Sequence, residues 1–206
     1  MKKIAKLLLI NISIIAASLL FASFIYSLNK SDDTTSKTTE TQQEIKPIEI
    51  NQPAPNFIGI DSKGKTHKLS DYKEKIVVLE WKNHQCPFVV KHYKSNNMQS
   101  LQKYALDKGI IWISIISSAP GKQGHVDGKT CNEIIKKERS VATAVILDPE
   151  GHIGKRYKAK VTPHMYIVDQ AGTLVYRGAI DDNRSTRLKN PTKTVNYIKD
   201  GLDAIL

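Results

Sequence analysis

Cys86 and Cys131 are the only thiols in this 206-residue chain. Cys86 lies in Lys82-Asn83-His84-Gln85-Cys86-Pro87-Phe88-Val89, directly after the apolar run Ile76-Val77-Val78-Leu79-Glu80-Trp81. Pro87 suits the first position of a helix, where its missing N–H costs nothing. A thiol just ahead of it sits over unpaired backbone N–H groups and the positive end of the helix dipole, which favour thiolate and lower its pKa. Such a thiolate attacks a disulfide to give a mixed disulfide, or a peroxide to give a sulfenic acid with release of water or alcohol. Either product must be resolved by a second thiol, from Cys131 or from outside. Cys131, Ile134 and Ile135 share one helical face, which suits a cysteine packed as a small hydrophobe. Pairing of Cys131 with Cys86 cannot be read from spacing.

The elements that must position Cys86 follow from periodicity. Residues 76–81 form a buried strand that feeds the helix after Cys86; that helix breaks at Ser95-Asn96-Asn97 and resumes through Met98, Leu101 and Ala105. Residues 110–116 form another buried strand. The glycine-rich loop 117–129 then leads to the Cys131 helix, a strand at 143–147 and the turn Asp148-Pro149-Glu150-Gly151. Hairpins pair 57–60 with 66–69 and 165–168 with 173–176, and Pro191 opens a last helix with Val195, Ile198, Leu202 and Ile205 inward. This order describes an α/β three-layer sandwich around a mixed central sheet.

The strand leading to Cys86, together with Val161-Thr162-Pro163-His164 ahead of Met165-Tyr166-Ile167-Val168, resembles the active-site approach and cis-proline loop of the thioredoxin superfamily. Ala54-Pro55-Asn56-Phe57, Asp61-Ser62-Lys63-Gly64-Lys65, Leu69-Ser70-Asp71-Tyr72 and Gly178-Ala179-Ile180-Asp181-Asp182 extend the likeness to its redoxin branch, the alkyl hydroperoxide reductase/thiol-specific antioxidant group, over about residues 50–182. The resemblance implies a thioredoxin-like fold, Cys86 as nucleophile, and Thr162-Pro163 packed against it and offering backbone to an extended substrate. It implies a proton-moving role for Glu80, six residues before the cysteine. A carboxylate in an apolar strand has a raised pKa, which suits that role; an acid facing water or pairing a lysine is the alternative. Arg177 resembles the arginine that supports the thiolate in peroxiredoxins, against its reading as a solvated strand-edge residue. Trp81, Asn83 and His84 are supporting candidates beside the thiol.

The departures narrow the chemistry. Position 89 is Val89, so no Cys-x-x-Cys pair exists, and Leu79 and Asn83 replace the Pro and Thr/Ser of a peroxiredoxin motif. Asn83 or His84 would have to supply the hydrogen bond that the missing hydroxyl gives. His84, Cys86, His92 and His164 invite a metal. With one thiolate and no paired-ligand spacing, no metal and no cofactor is assigned.

Lys2, Lys3 and Lys6 precede a nearly unbroken apolar run over 7–28, long enough to span a bilayer. Residues 1–28 are therefore expected to be a signal anchor, or a cleaved signal peptide. Residues 29–47, polar with no aliphatic side chain before Ile45, form a tether, and 48–206 form the redoxin domain. The chain carries 31 basic and 20 acidic residues, a formal charge of +11. That excess favours anionic lipid or acidic partners, and no aromatic-interleaved basic motif supports nucleic-acid binding. The expected protein is a single-pass, extracytoplasmic thiol oxidoreductase acting on a protein disulfide or a peroxide with an external thiol reductant; secretion after signal cleavage is the alternative location. A non-catalytic module holding an extended peptide, or a metal near Cys86, His84 and His164, is the competing reading.

Overall fold

The pleat along Val77–Trp81 (β4) sends Val77, Leu79 and Trp81 to one face of a sheet and Val78 and Glu80 to the other, and all five are buried. A strand with both faces covered belongs at the centre. The computed structural model describes residues 48–187 and 194–206 and puts β4 there. The other strands are β1 (Gln52–Pro53), β2 (Ile58–Asp61), β3 (Thr66–Lys68), β5 (Ile111–Ile116), β6 (Ala144–Leu147), β7 (His164–Val168) and β8 (Thr173–Gly178). Their order is β1-β8-β7-β4-β5-β6-β2-β3. β4, β5 and β6 are parallel, while β7 runs antiparallel to β4 with Trp81 opposite His164.

Helices α1 (Pro87–Lys94), α2 (Asn97–Asp107) and α5 (Tyr197–Asp203) cover the Val78 face through Val89, Met98, Leu101, Ile198 and Leu202. On the same side, α3 (Gly128–Glu138) packs Cys131 on Ile116, Val126 and Val145. The opposite face is filled by Phe57, Ile153 and Tyr157, with α4 (His152–Arg156) lying over it. Beside it, the hairpin of β2 and β3 is braced by His67, whose Nε2 lies 2.9 Å from Asp61 Oδ2 while Nδ1 lies 2.5 Å from the Tyr72 hydroxyl.

The expected strands and the first three helices form where periodicity puts them. The last helix is a correction. It begins at Tyr197, capped by the Asn196 side chain accepting from the Lys199 N–H, and residues 194–196 are not helical. Val195, expected inward, is 50% exposed, whereas Ile198 and Leu202 are buried. An Asx cap marks the start of this helix. The short β1 and α4 have too few residues to show a period. Among the described residues no helix is long and apolar enough to cross a membrane. The expected anchor at 1–28 and tether at 29–47 lie outside them.

Candidate active site

The turn from β4 into α1 is built by Asn83. Its Oδ1 accepts the Gln85 N–H at 2.9 Å and its carbonyl accepts the Cys86 N–H at 2.9 Å. Cys86 is thereby the cap residue of α1, with φ −71° and ψ 124°, and Pro87 occupies the first turn. The Cys86 carbonyl accepts from Val89 and Val90, both at 2.9 Å. The Cys86 Sγ, half-buried, donates to the Thr162 carbonyl at 3.2 Å, and the Thr162–Pro163 peptide bond is cis. Two segments 76 residues apart in sequence thus meet at the thiol.

Two exposed apolar side chains flank the residues that meet at the thiol. Phe88, two residues into α1, is 41% exposed, and Val161, just before Thr162, is 61% exposed. Behind them, Trp81 donates from Nε1 to Ser117 Oγ at 3.0 Å and packs its ring on Tyr157 and Tyr166. The loop after β5 is seated against the Asn83 turn. Its Gly124 N–H donates to Gln85 Oε1 at 3.1 Å, and the Asn83 amide lies 3.4 Å from both the carbonyl and the side-chain oxygen of Gln123.

Glu80 points to the other face and is fully buried. Its Oε2 accepts from Ser114 Oγ at 2.7 Å, Trp112 Nε1 at 2.9 Å and Gln102 Nε2 at 3.4 Å; the Tyr93 hydroxyl, 3.0 Å from Oε1, completes the set. Tyr93 stands on α1 two turns beyond Cys86. Its phenol is pushed well above its usual range, first by burial and then by the charges of Glu80 and Glu138. Buried Lys82 donates to Glu138 Oε2 at 2.6 Å and lies 4.1 Å from the Tyr93 ring centre. Gln102 accepts from Ser140 Oγ and the Val141 N–H. Sequence reasoning missed Tyr93, Gln102, Trp112, Ser114, Lys82 and Glu138. A polar side chain at Cys86+7 on an apolar helix face was the one available signal.

His164 Nδ1 lies 2.9 Å from the Tyr166 hydroxyl, which itself donates to the Tyr157 carbonyl at 3.0 Å. The single phenol proton is committed there, so Nδ1 carries the imidazole proton and Nε2 keeps its lone pair. Burial, then the Arg177 guanidinium, lower the His164 pKa to about 4. Burial and then Lys82 also hold His84 below its usual range. Arg177 is exposed on β8 opposite Tyr166, with Nη1 3.4 Å from the Ile48 carbonyl. Cys131 is buried in the α3 cluster; its thiol is pushed up by burial, and both cysteines are free. Among the described residues no three His, Cys, Asp or Glu side chains gather as a metal set.

A mixed sheet that delivers one cysteine to a helix start, against a cis-proline turn, defines a thioredoxin-fold redox protein. The chain belongs to the AhpC/TSA family, whose model matches residues 50–177, and it is by that membership a thiol-disulfide oxidoreductase or peroxiredoxin-like enzyme. The fold is shared with an uncharacterized conserved protein of Geobacillus kaustophilus at TM-score 0.68 and 23% identity, over 78% of this chain and 83% of that one. A hypothetical protein of Sinorhizobium meliloti 1021 matches at TM-score 0.62 and 23% identity, over 77% and 85%. The thioredoxin domain of a thiol-disulfide oxidoreductase from Bacteroides vulgatus matches at TM-score 0.56 and 18% identity, over 78% and 100%. No curated protein matches the chain.

Proposed function

We propose that Cys86 is the nucleophile of a thiol-disulfide exchange reaction on protein substrates. The supporting observation is the Cys86 Sγ at the start of α1, 3.2 Å from the carbonyl that precedes cis-Pro163. In the reaction, the Cys86 thiolate attacks one sulfur of the substrate disulfide. The substrate S–S bond breaks, a mixed disulfide forms on Cys86, and the second substrate sulfur leaves as a thiolate that takes up a proton. An external thiol attacks the Cys86 sulfur to release the second half of the substrate. A further thiol breaks the mixed disulfide left on the carrier, so two external thiols are oxidised for each disulfide reduced. Cys131, buried in a separate cluster, is the less accessible resolving group. Disulfide is favoured over peroxide because Leu79 and Asn83 replace the peroxiredoxin proline and hydroxyl, while Phe88 and Val161 expose an apolar rim suited to a polypeptide.

Thr162 and Pro163 are assigned to substrate backbone, Glu80 to proton movement from behind α1, and Trp81, Asn83 and His84 to support of the loop. Arg177 would support the thiolate only through its field, since its guanidinium is directed to the Ile48 carbonyl. Residues 1–28 are assigned as signal anchor, 29–47 as tether and 48–206 as the redoxin domain, held outside the cytoplasm on a single-pass helix. An exposed lipoprotein thioredoxin of Streptococcus pneumoniae, 22% identical at TM-score 0.50, shares this fold.

The test is reduction of a peptide disulfide by the full-length protein with a monothiol present, with intact mass recorded during turnover. Wild type is expected to accumulate one adduct on Cys86, and Cys86→Ser to lose at least about a hundredfold in rate. Equal turnover by Cys86→Ser would overturn the proposal.

A further inference from the structure

A groove of about 410 Å³ opens beside Cys86 and runs from Asn83 and Thr162 across Ser118 to Lys155 and Lys160. Thr162 and Asn83, whose carbonyls accept from the Cys86 thiol and N–H, both line the groove, which therefore adjoins the thiol. The wall is cationic. Lys155 and Lys160 are exposed, Lys82 lies buried beneath, and no Asp or Glu lines the groove. Lys82 is paired with Glu138 at 2.6 Å, and among the described residues no carboxylate pairs with Lys155 or Lys160. Lys155 Nζ donates to the Glu150 carbonyl at 3.1 Å, a contact that holds the ammonium in place without cancelling it. Both lysines flank the segment leading to cis-Pro163: one stands on α4, the other two residues before Thr162.

We propose that this groove selects substrates in which an acidic stretch of polypeptide flanks the reacting cysteine, its carboxylates lying against Lys155 and Lys160. The proposal rests on Cys86 as the exchanging thiol. A polypeptide is favoured over a small anionic disulfide by the exposed apolar Val161 in the groove and by the exposed Phe88 two residues after Cys86, which offer an extended chain apolar contacts that a small anion would not use. Charge complementarity of this kind acts chiefly on the encounter rate and is weakened by salt.

Two matched peptides test it, each with one cysteine disulfide-bonded to 2-thiopyridine, flanked in one by glutamates and in the other by glutamines. Release of thiopyridone by the full-length protein gives the two rates. Wild type is expected to prefer the acidic peptide on the order of tenfold at low salt, and Lys155→Ala/Lys160→Ala to bring that ratio close to one. Lys129→Ala/Lys136→Ala, which removes the same charge from the exposed face of α3, is expected to keep the ratio. A wild-type ratio near one, or an equal fall in the α3 variant, overturns the proposal. A groove variant that loses rate with oxidised glutathione but keeps its peptide ratio assigns the groove to a small anionic disulfide, which also overturns it. No release from either peptide by wild type defeats the Cys86 reading itself, a result distinct from release without preference.

Discussion

At the scale of single residues, Glu80 stands out for its partners. The sequence marks it as an acid in an apolar strand, and the structure surrounds it with four donors and no solvent. Glu80→Gln removes the charge that strengthens these bonds and, with its amide oxygen kept on Trp112, Ser114 and Gln102, turns an NH2 onto the Tyr93 hydroxyl, which loses its acceptor. A loss of about 2 kcal/mol in unfolding free energy is expected, and about 3–5 kcal/mol for Glu80→Ala, which orphans the whole set. Urea titration reads both; unchanged midpoints would remove the network from any account of stability. Cys86, Thr162 and Pro163 were legible because their neighbours carry a local pattern. The partners of Glu80 were not, since Trp112, Ser114 and Gln102 are brought to it by strand register and helix packing, which leave no spacing to read. His92 shows the same limit: it read as a metal candidate, but its Nδ1 accepts from Asn97 at 2.9 Å and its ring is 3% exposed.

Among the elements, the β4–α1 turn depends on a loop from elsewhere in the sheet. Gly124 has φ +84°, and a Cβ there would stand 2.5 Å from the Asn83 side chain. Gly124→Ala therefore faces both backbone strain and a collision with the residue that holds the Cys86 N–H. An unfolding cost of about 1–2 kcal/mol is expected, together with slower alkylation of Cys86 by a neutral reagent. Alkylation at the wild-type rate would show that the loop does not set the turn. The loop itself was legible from Pro120-Gly121 and Asp127-Gly128. Its docking on Asn83 and Gln85 was not, because a turn signal says where a chain bends and not what it bends onto. The start of the helix at Tyr197 was not legible for a related reason: an asparagine caps a helix in one setting and makes a turn in another, and Asn196 carries nothing local that says which.

For the molecule as a whole, acid sensitivity follows from burial of an imidazole on the α1 side. Burial, then Lys91, lower the His92 pKa to about 4 from an ordinary 6.5. Between those values the unfolded chain binds a proton that the folded one does not, so stability is lost as pH falls from 6.5 toward 4 and is retained above 6.5. The slope from His92 approaches about 1.4 kcal/mol per pH unit. Half-buried His164, also lowered to about 4, adds in the same direction but less. Asp181, 3.9 Å from the His92 ring, is raised first by burial and opposes the trend just above its ordinary value. His92→Gln is expected to flatten the pH profile of the urea midpoint by roughly half; an unaltered slope would assign the acid sensitivity to other groups.

The margins of the sheet carry a consequence for self-association. One margin is the two residues of β1, which include Pro53 and so lack an N–H at that point; the other is the three residues of β3. An incoming strand needs a long run of free backbone groups, and among the described residues neither end strand is longer than three residues. End strands this short give a second copy little length on which to add a strand, and crowded molecules gain little by stacking end strand on end strand.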